Sequence, residues 1–387
     1  MAFTIKAVPP AYSSIQDDLI YTVAFPEHTS DSVTYPNYKF IGDVYIGAVL
    51  VARIKKVQDP VTSIGIFNIG QIVRNYVSAI FDPTAGVLVA QEMGGGQFNI
   101  TVTMKFGEEY GFDAFLNQVV DSPRVFFNNY NGRLVGVSSS LQTRLNTIAG
   151  NGPMVRQTFL TSAYNFLNYF ATTTDVLFYT VTPTGGGIAF TNTFTPSAAF
   201  NMMVLNFSPV ALNAVHPGAI TSATTSYRVT IGANVHTYKV ICEAMYQPYM
   251  IHFLNQYGGF DSKIFSKVSR RSFDITKTDF GKLPYTVDSA GAVNYYSLNG
   301  VYNESASVYS SQYIEKLTLN SDLLTDAEYV WLADLLLSPM IYIEDGGYFF
   351  PIQITDTSYE PKKAVNDDLT NLTINIEYGK QLNAQYR

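Results

Sequence analysis

Apolar and polar residues alternate along much of the chain with the two-residue period of strands. Leu19, Tyr21, Val23 and Phe25 share one face of a first strand; Tyr38, Phe40, Val44 and Ile46 share one face of a second. Gly47-Ala48 lets the chain reverse into Val49, Val51 and Arg53, set opposite Leu50, Ala52 and Ile54. Phe98, Ile100, Val102, Met104 and Phe106 alternate strictly with polar partners, the clearest half-buried strand of the chain. One stretch breaks the period. After Asn68, a candidate N-cap, Ile69, Ile72, Val73, Tyr76 and Ile80 recur at helical spacing until Asp82-Pro83. A small antiparallel sandwich crossed by one helix fits this part.

Turn signals organise the middle: Asn128-Asn129-Tyr130-Asn131-Gly132, and the loop tip Pro183-Thr184-Gly185-Gly186-Gly187. Gly232-Ala233-Asn234 joins the apolar runs 227–231 and 238–241 as a hairpin, and Gln256-Tyr257-Gly258-Gly259 joins 249–254 to 260–268. Near the end, Thr325-Asp326-Ala327-Glu328 is a capping box opening a helix with Val330, Trp331, Asp334, Leu335 and Leu337, stopped before Pro339. Asp345-Gly346-Gly347 predicts a hairpin between 340–344 and 348–355, and Leu372, Ile374, Ile376 and Tyr378 alternate in a last strand. The expected class is mainly β, with β-sandwich-type modules and a few short helices in several domains. Its segments are 1–118, a sandwich with one crossing helix; 119–290, one or two hairpin-rich domains; and 291–387, a helix plus an antiparallel meander.

Composition adds a functional hint. Only 14% of residues are charged, against roughly 25% for ordinary soluble domains, while 28 are Tyr. Such a surface is wettable but weakly repulsive, as suits a surface that neighbours cover. The net charge of −7 argues against coating nucleic acid, and the largest basic group, Lys267, Arg270 and Arg271, is too small for a phosphate track. A single cysteine, Cys242, excludes an internal disulfide and reads as a small buried residue. The N-terminus lacks a signal-peptide core, and no stretch approaches the roughly 20 apolar residues of a membrane helix, so synthesis in a cytoplasm without membrane insertion is expected.

The motifs of catalysis are missing. His28, His216, His236 and His252 are far apart, with no HExxH or Cys–His cluster, and no phosphate-binding loop or GxSxG elbow is present. The carboxylate pairs Asp17-Asp18, Glu108-Glu109 and Asp367-Asp368 are neighbours that a strand would point to opposite faces. No cofactor, metal or catalytic residue is therefore assigned. Four sequons, at Asn99, Asn206, Asn303 and Asn371, read as chance matches in an Asn- and Thr-rich chain.

Three segments carry a resemblance. The first is Phe40-Ile41-Gly42-Asp43-Val44-Tyr45-Ile46-Gly47 with Val51-Ala52-Arg53-Ile54-Lys55, Gly65-Ile66-Phe67-Asn68-Ile69 and Asn75-Tyr76-Val77. The second is Ile251-His252-Phe253-Leu254-Asn255-Gln256-Tyr257-Gly258-Gly259-Phe260-Asp261 with Val268-Ser269-Arg270-Arg271-Ser272. The third runs from Leu319-Asn320-Ser321-Asp322 through Trp331-Leu332 and Ser338-Pro339 to Ile354-Thr355-Asp356-Thr357-Ser358-Tyr359, Asn366-Asp367 and Ile376-Glu377-Tyr378. Together they resemble a family of structural virion proteins from tailed phages and prophages of Bacteroidetes bacteria. The resemblance implies a tail-tip or baseplate component and supplies no catalytic residues.

The resulting expectation is a non-enzymatic virion building block, made in the host cytoplasm and assembled into a symmetric ring with copies of itself and other virion proteins. It would contribute to host attachment, with a surface glycan or receptor as a further partner. A jelly-roll capsid or head decoration protein and a carbohydrate-binding adhesin are the alternatives, with a wall-penetrating hydrolase behind them. Gly258, Gly259, Trp331 and Tyr359 are the candidate structural or interface residues: a tight turn or docking tip for the glycines, and helix-to-sheet packing or an interface anchor for Trp331.

Overall fold

The computed structural model describes residues 3–10, 13–29, 34–111, 115–129, 155–241, 245–296, 299–356, 370–379 and 382–386. Strands take 53% of the chain and helices 8%, arranged as several separate, mostly antiparallel sheets, so the fold is mainly β and multidomain. Two compact units emerge, Met1–Glu243 with Phe253–Lys263, and Ala244–His252 with Ile264–Arg387.

The first unit holds two sandwich-like cores. In one, the strands Thr4–Ala7, Ile20–Ala24 and Gly65–Asn68 form a three-stranded sheet. A five-stranded sheet of Val49–Lys56, Lys39–Ile46, Asn99–Glu109, Leu116–Val120 and Arg124–Phe127 shares its core. Tyr21, Val23, Phe40, Val44, Phe67, Val102, Met104 and Phe106 are completely buried there. Removing such side chains from water at roughly 25 cal/mol per Å² is the main force holding the layers together. The alternation from Phe98 to Phe106 thus marks the central strand, and Gly47, with φ +59°, makes the reversal into Val49.

The second core of this unit lies between two further sheets. One is Val155–Phe159, Asn234–Ile241, Ser226–Ile231, Leu177–Thr184 and Phe190–Phe194, and the other is Phe166–Ala171, Asn201–Asn206 and Val89–Met93. The pairing of Val155–Phe159 with Asn234–Ile241 is parallel. A short helix, Pro209–Val215, is capped by Ser208, whose hydroxyl accepts from the Ala211 amide at 3.2 Å. Neither the parallel pair nor this helix figures in the sequence reading.

The crossing helix expected after Asn68 is reduced to one turn, Gly70–Arg74, and its N-cap is Ile69. Asn68 instead holds the Gly70 amide at 3.0 Å and donates to Asp18 at 2.7 Å. The Ser78 amide bonds the Gly96 carbonyl at 2.9 Å, which takes the backbone out of the helix, and Tyr76 and Ile80 are exposed. Ile, Val, Asn and Tyr are weak helix formers, so this backbone contact outweighs a pattern of apolar spacing.

In the second unit the strands Ile341–Asp345, Tyr348–Ile354, Thr370–Tyr378, Ala306–Leu324 and Arg270–Gly281 follow one another in one antiparallel sheet, with Leu382–Tyr386 also pairing with Ala306–Leu324. The capping box forms as expected: Thr325 and Glu328 exchange side-chain and backbone hydrogen bonds at the start of the helix Asp326–Leu337. Leu332 and Leu335 are the fully buried residues of that helix, while Trp331 is only half-buried and Leu337 is exposed. Gly346 and Gly347, with φ +58° and +81°, make the tight hairpin that their spacing predicts.

Candidate functional site

His28 sits in the short helix Pro26–Thr29, and its Nδ1 lies 2.9 and 3.0 Å from the two carboxylate oxygens of Glu108, a residue 80 positions away. Glu108 is completely buried and also accepts from the Asn117 amide group. Its neighbour Glu109 faces the other way and pairs with Lys55, as strand geometry requires. Tyr35 stacks on the His28 ring at 3.7 Å, and Phe25 and Tyr110 meet it at steeper angles. Burial and the Glu108 charge hold the Tyr38 phenol far above its usual range. The arrangement offers an oriented base, but among the described residues no nucleophile hydrogen-bonds its Nε2. No group of three metal-ligating side chains occurs among the described residues either.

The second candidate is the tip of the hairpin 249–265. Asn255 organises it: its Oδ1 accepts from the Tyr257 and Gly259 amides at 3.0 and 3.1 Å. Its backbone amide bonds the Gly259 carbonyl at 2.8 Å, and its carbonyl takes the Gly258 amide at 3.0 Å. Gly258 has φ +87°, and a Cβ there would stand 2.2 Å from the Asn128 carbonyl oxygen; at Gly259 it would stand 2.4 Å from the Asn168 amide. Both glycines are buried, so this tip packs within its own unit.

Beneath it lies a buried polar shell. Asp261 accepts from Asn168 at 3.0 Å and Asn255 at 3.1 Å, with the Arg156 guanidinium 3.7 Å away. Arg156 also donates to the Phe166 carbonyl, and the Ser262 hydroxyl accepts from the Phe166 amide, both at 3.0 Å. Burial, aided by the Arg156 charge, holds His236 down at about 4. His252 in the second unit is likewise lowered by burial, against the opposing pull of Glu344 at 3.6 Å. Each of these groups is enclosed, and none faces a site that a ligand enters. They act as internal fasteners.

The third candidate is a surface. From Ser266 to Ala306 no described residue is buried. Arg270–Gly281 is exposed at every position and pairs with residues 306–318 of Ala306–Leu324. Before Ser310, over Ala306–Tyr309, that strand has Arg270–Gly281 as its one partner among the described residues, leaving a two-stranded arm. Residues 282–305 complete the arm with a small hairpin, Thr286–Val287 against Val293–Asn294. Ile275 is 60% exposed, Leu283 69% and Tyr302 61%, and Phe273 and Phe280 are half-exposed. Tyr285, Tyr295, Tyr296 and Tyr302 adjoin one another at the tip, with ring centroids 5.7–6.4 Å apart. A two-stranded ribbon is marginal in water by itself, and contiguous exposed apolar surface of this kind marks interaction sites.

Of the residues picked from the sequence, Gly258 and Gly259 thus belong to the enclosed tip, and Trp331 lies half-buried on its helix. Tyr359, Cys242 and Asp367-Asp368 lie outside the described residues. The arm was missed, and its signal was the unusual run of exposed-type and aromatic residues between 270 and 311 without a core pattern. No family model, curated protein or solved structure matches this chain.

Proposed function

We propose that the chain is a non-enzymatic structural virion protein of a bacteriophage, a tail-tip or baseplate building block held in a ring by copies of itself and by other virion proteins. The observation that carries this reading is the arm, residues 266–306, which has no buried residue among its described ones and bears exposed Phe, Ile, Leu and Tyr. A chain of this kind gains stability when neighbours cover it. The low charge and the three family-like segments support the same reading. The protein contributes to host attachment through the assembly it helps to build, in the virion and without a cofactor.

Antibody labelling of intact particles by electron microscopy tests it. Label gathered at one end of the tail is the expected result. Label over the head would replace it with a capsid-class or decoration role, and a chain confined to the lysate as a free monomer would overturn it. The tyrosine cluster at the arm tip favours a second reading, an adhesin that stacks sugar rings on exposed aromatics. Glycan binding that survives Tyr302→Ala would remove it.

A further inference from the structure

The free edge of the arm has a pattern of its own. Arg270–Gly281 stands at the end of its sheet and is wholly exposed. No strand among the described residues pairs with the outer side of Arg270–Gly281. Native proteins blunt long free edges with proline, bulges or charge. This strand has no proline, and the irregularity near Thr278 places its extra residue, Tyr309, on the paired strand. It carries charge of both signs, Arg270, Arg271, Asp274, Lys277 and Asp279, whereas the long edge Val49–Lys56 carries only cations, Arg53, Lys55 and Lys56.

We propose that Arg270–Gly281 pairs edge to edge with the same strand of a second copy, antiparallel, about a two-fold axis at Ile275. Outward backbone groups belong to alternate residues, so two copies can slide only in steps that preserve this parity. With Ile275 opposite its own counterpart, Arg271 meets Asp279 and Phe273 meets Lys277 on one face. On the other face Arg270 meets Phe280, Ser272 meets Thr278 and Asp274 meets Thr276. No like charges meet anywhere along the strand.

The neighbouring registers are worse. Sliding one step one way sets Asp274 against Asp274 and Arg271 against Lys277. One step the other way separates Arg271 from Asp279 and brings Arg270 opposite Lys282. A parallel in-register pair would stack each charge on itself. Directly opposed like charges destabilise a sheet and opposite ones stabilise it. Lys277 and Asp279 have no ion-pair partner among the described residues; the favoured register sets Asp279 opposite Arg271, whose guanidinium also holds Glu315 at 2.8 Å, and Lys277 opposite the Phe273 ring. The contact is isologous, as a two-fold interface requires.

This inference rests on the assembly reading only for the presence of a second copy. Sedimentation velocity of the purified full chain, over about 1–100 μM, is the test. A dimer is expected, and Ile275→Lys, which sets two ammonium groups across the axis, should weaken it at least about tenfold. Asp279→Lys should weaken it by a similar factor, while Leu283→Lys, on the arm but off the strand, should leave it unchanged. Ile275 and Asp279 are exposed in the single chain, so these variants keep the fold. A chain that is monomeric throughout, or a dimer indifferent to both strand variants, overturns the pairing. A monomer that nevertheless labels tails would do so while sparing the virion reading, and a strand-dependent dimer absent from particles would do the reverse.

Discussion

Two turns in this protein share one design and opposite surroundings. At the tip of 249–265, Asn255 Oδ1 accepts from the amides two and four residues on, and Gly258 takes φ +87°. In the arm, Asp288 Oδ1 accepts from Ala290 and Ala292 at 2.9 and 2.8 Å, and Gly291 takes φ +81°. The backbone bonds also correspond, Gly258 to Asn255 and Gly291 to Asp288, both at 3.0 Å. Yet a Cβ at Gly258 would strike the Asn128 carbonyl, whereas one at Gly291 would meet nothing within 4 Å. Local turn chemistry sets the conformation of both. What each turn does depends on residues far away in the sequence that do or do not close over it.

The comparison can be broken by substitution. Gly258→Ala adds backbone strain and a clash with a carbonyl, and should lower stability by about 4 kcal/mol in denaturant unfolding of the first unit. Asp261→Ala removes the carboxylate beside the buried Arg156 guanidinium and the acceptor of Asn168 and Asn255, and should cost about 3–4 kcal/mol by the same measurement. At Gly291, alanine meets only the positive-φ penalty, about 1 kcal/mol, seen as faster amide exchange in the arm tip. Lys282→Ala removes an exposed ion pair to Glu304 and should change stability by less than about 0.5 kcal/mol. If Gly258→Ala and Gly291→Ala proved equally costly, the difference in surroundings would not be the cause.

Acid sharpens the same contrast and falls between the second and third of these effects. His236 protonates near 6.5 when unfolded and only at about 4 when folded. Between those values the unfolded chain binds more protons, so stability present above pH 6.5 drains away as the pH falls towards 4. The loss should reach about 2–3 kcal/mol. A pH series of melting curves should show it, and His236→Gln should flatten the slope in that window. The arm holds no histidine, so its amide exchange should not follow this trend.

Legibility in the sequence follows from where the controlling contacts lie. The capping box at Thr325, the Gly346-Gly347 hairpin and the strand through Val102 were readable because their determinants sit within a few residues or in a strict period. The helix after Asn68 misled because apolar spacing was present but the decisive bond, Ser78 to Gly96, was not local. The pairing of His28 with Glu108, and of Arg156 with Asp261, joins residues 80 and 105 positions apart, beyond any spacing rule. Arg270–Gly281 escaped notice for another reason: a strand exposed on every side has no inner face to impose alternation.

The placement of Asp261 bears on how the protein is made. Residues 253–263 belong to the first unit, yet they follow a segment, 244–252, that belongs to the second. While the ribosome has released only the first 243 residues, Arg156 and Asn168 await the carboxylate that will engage them. Completion of that unit's polar shell therefore needs residues that leave the ribosome after part of the second unit, so its last internal contacts are made late in synthesis.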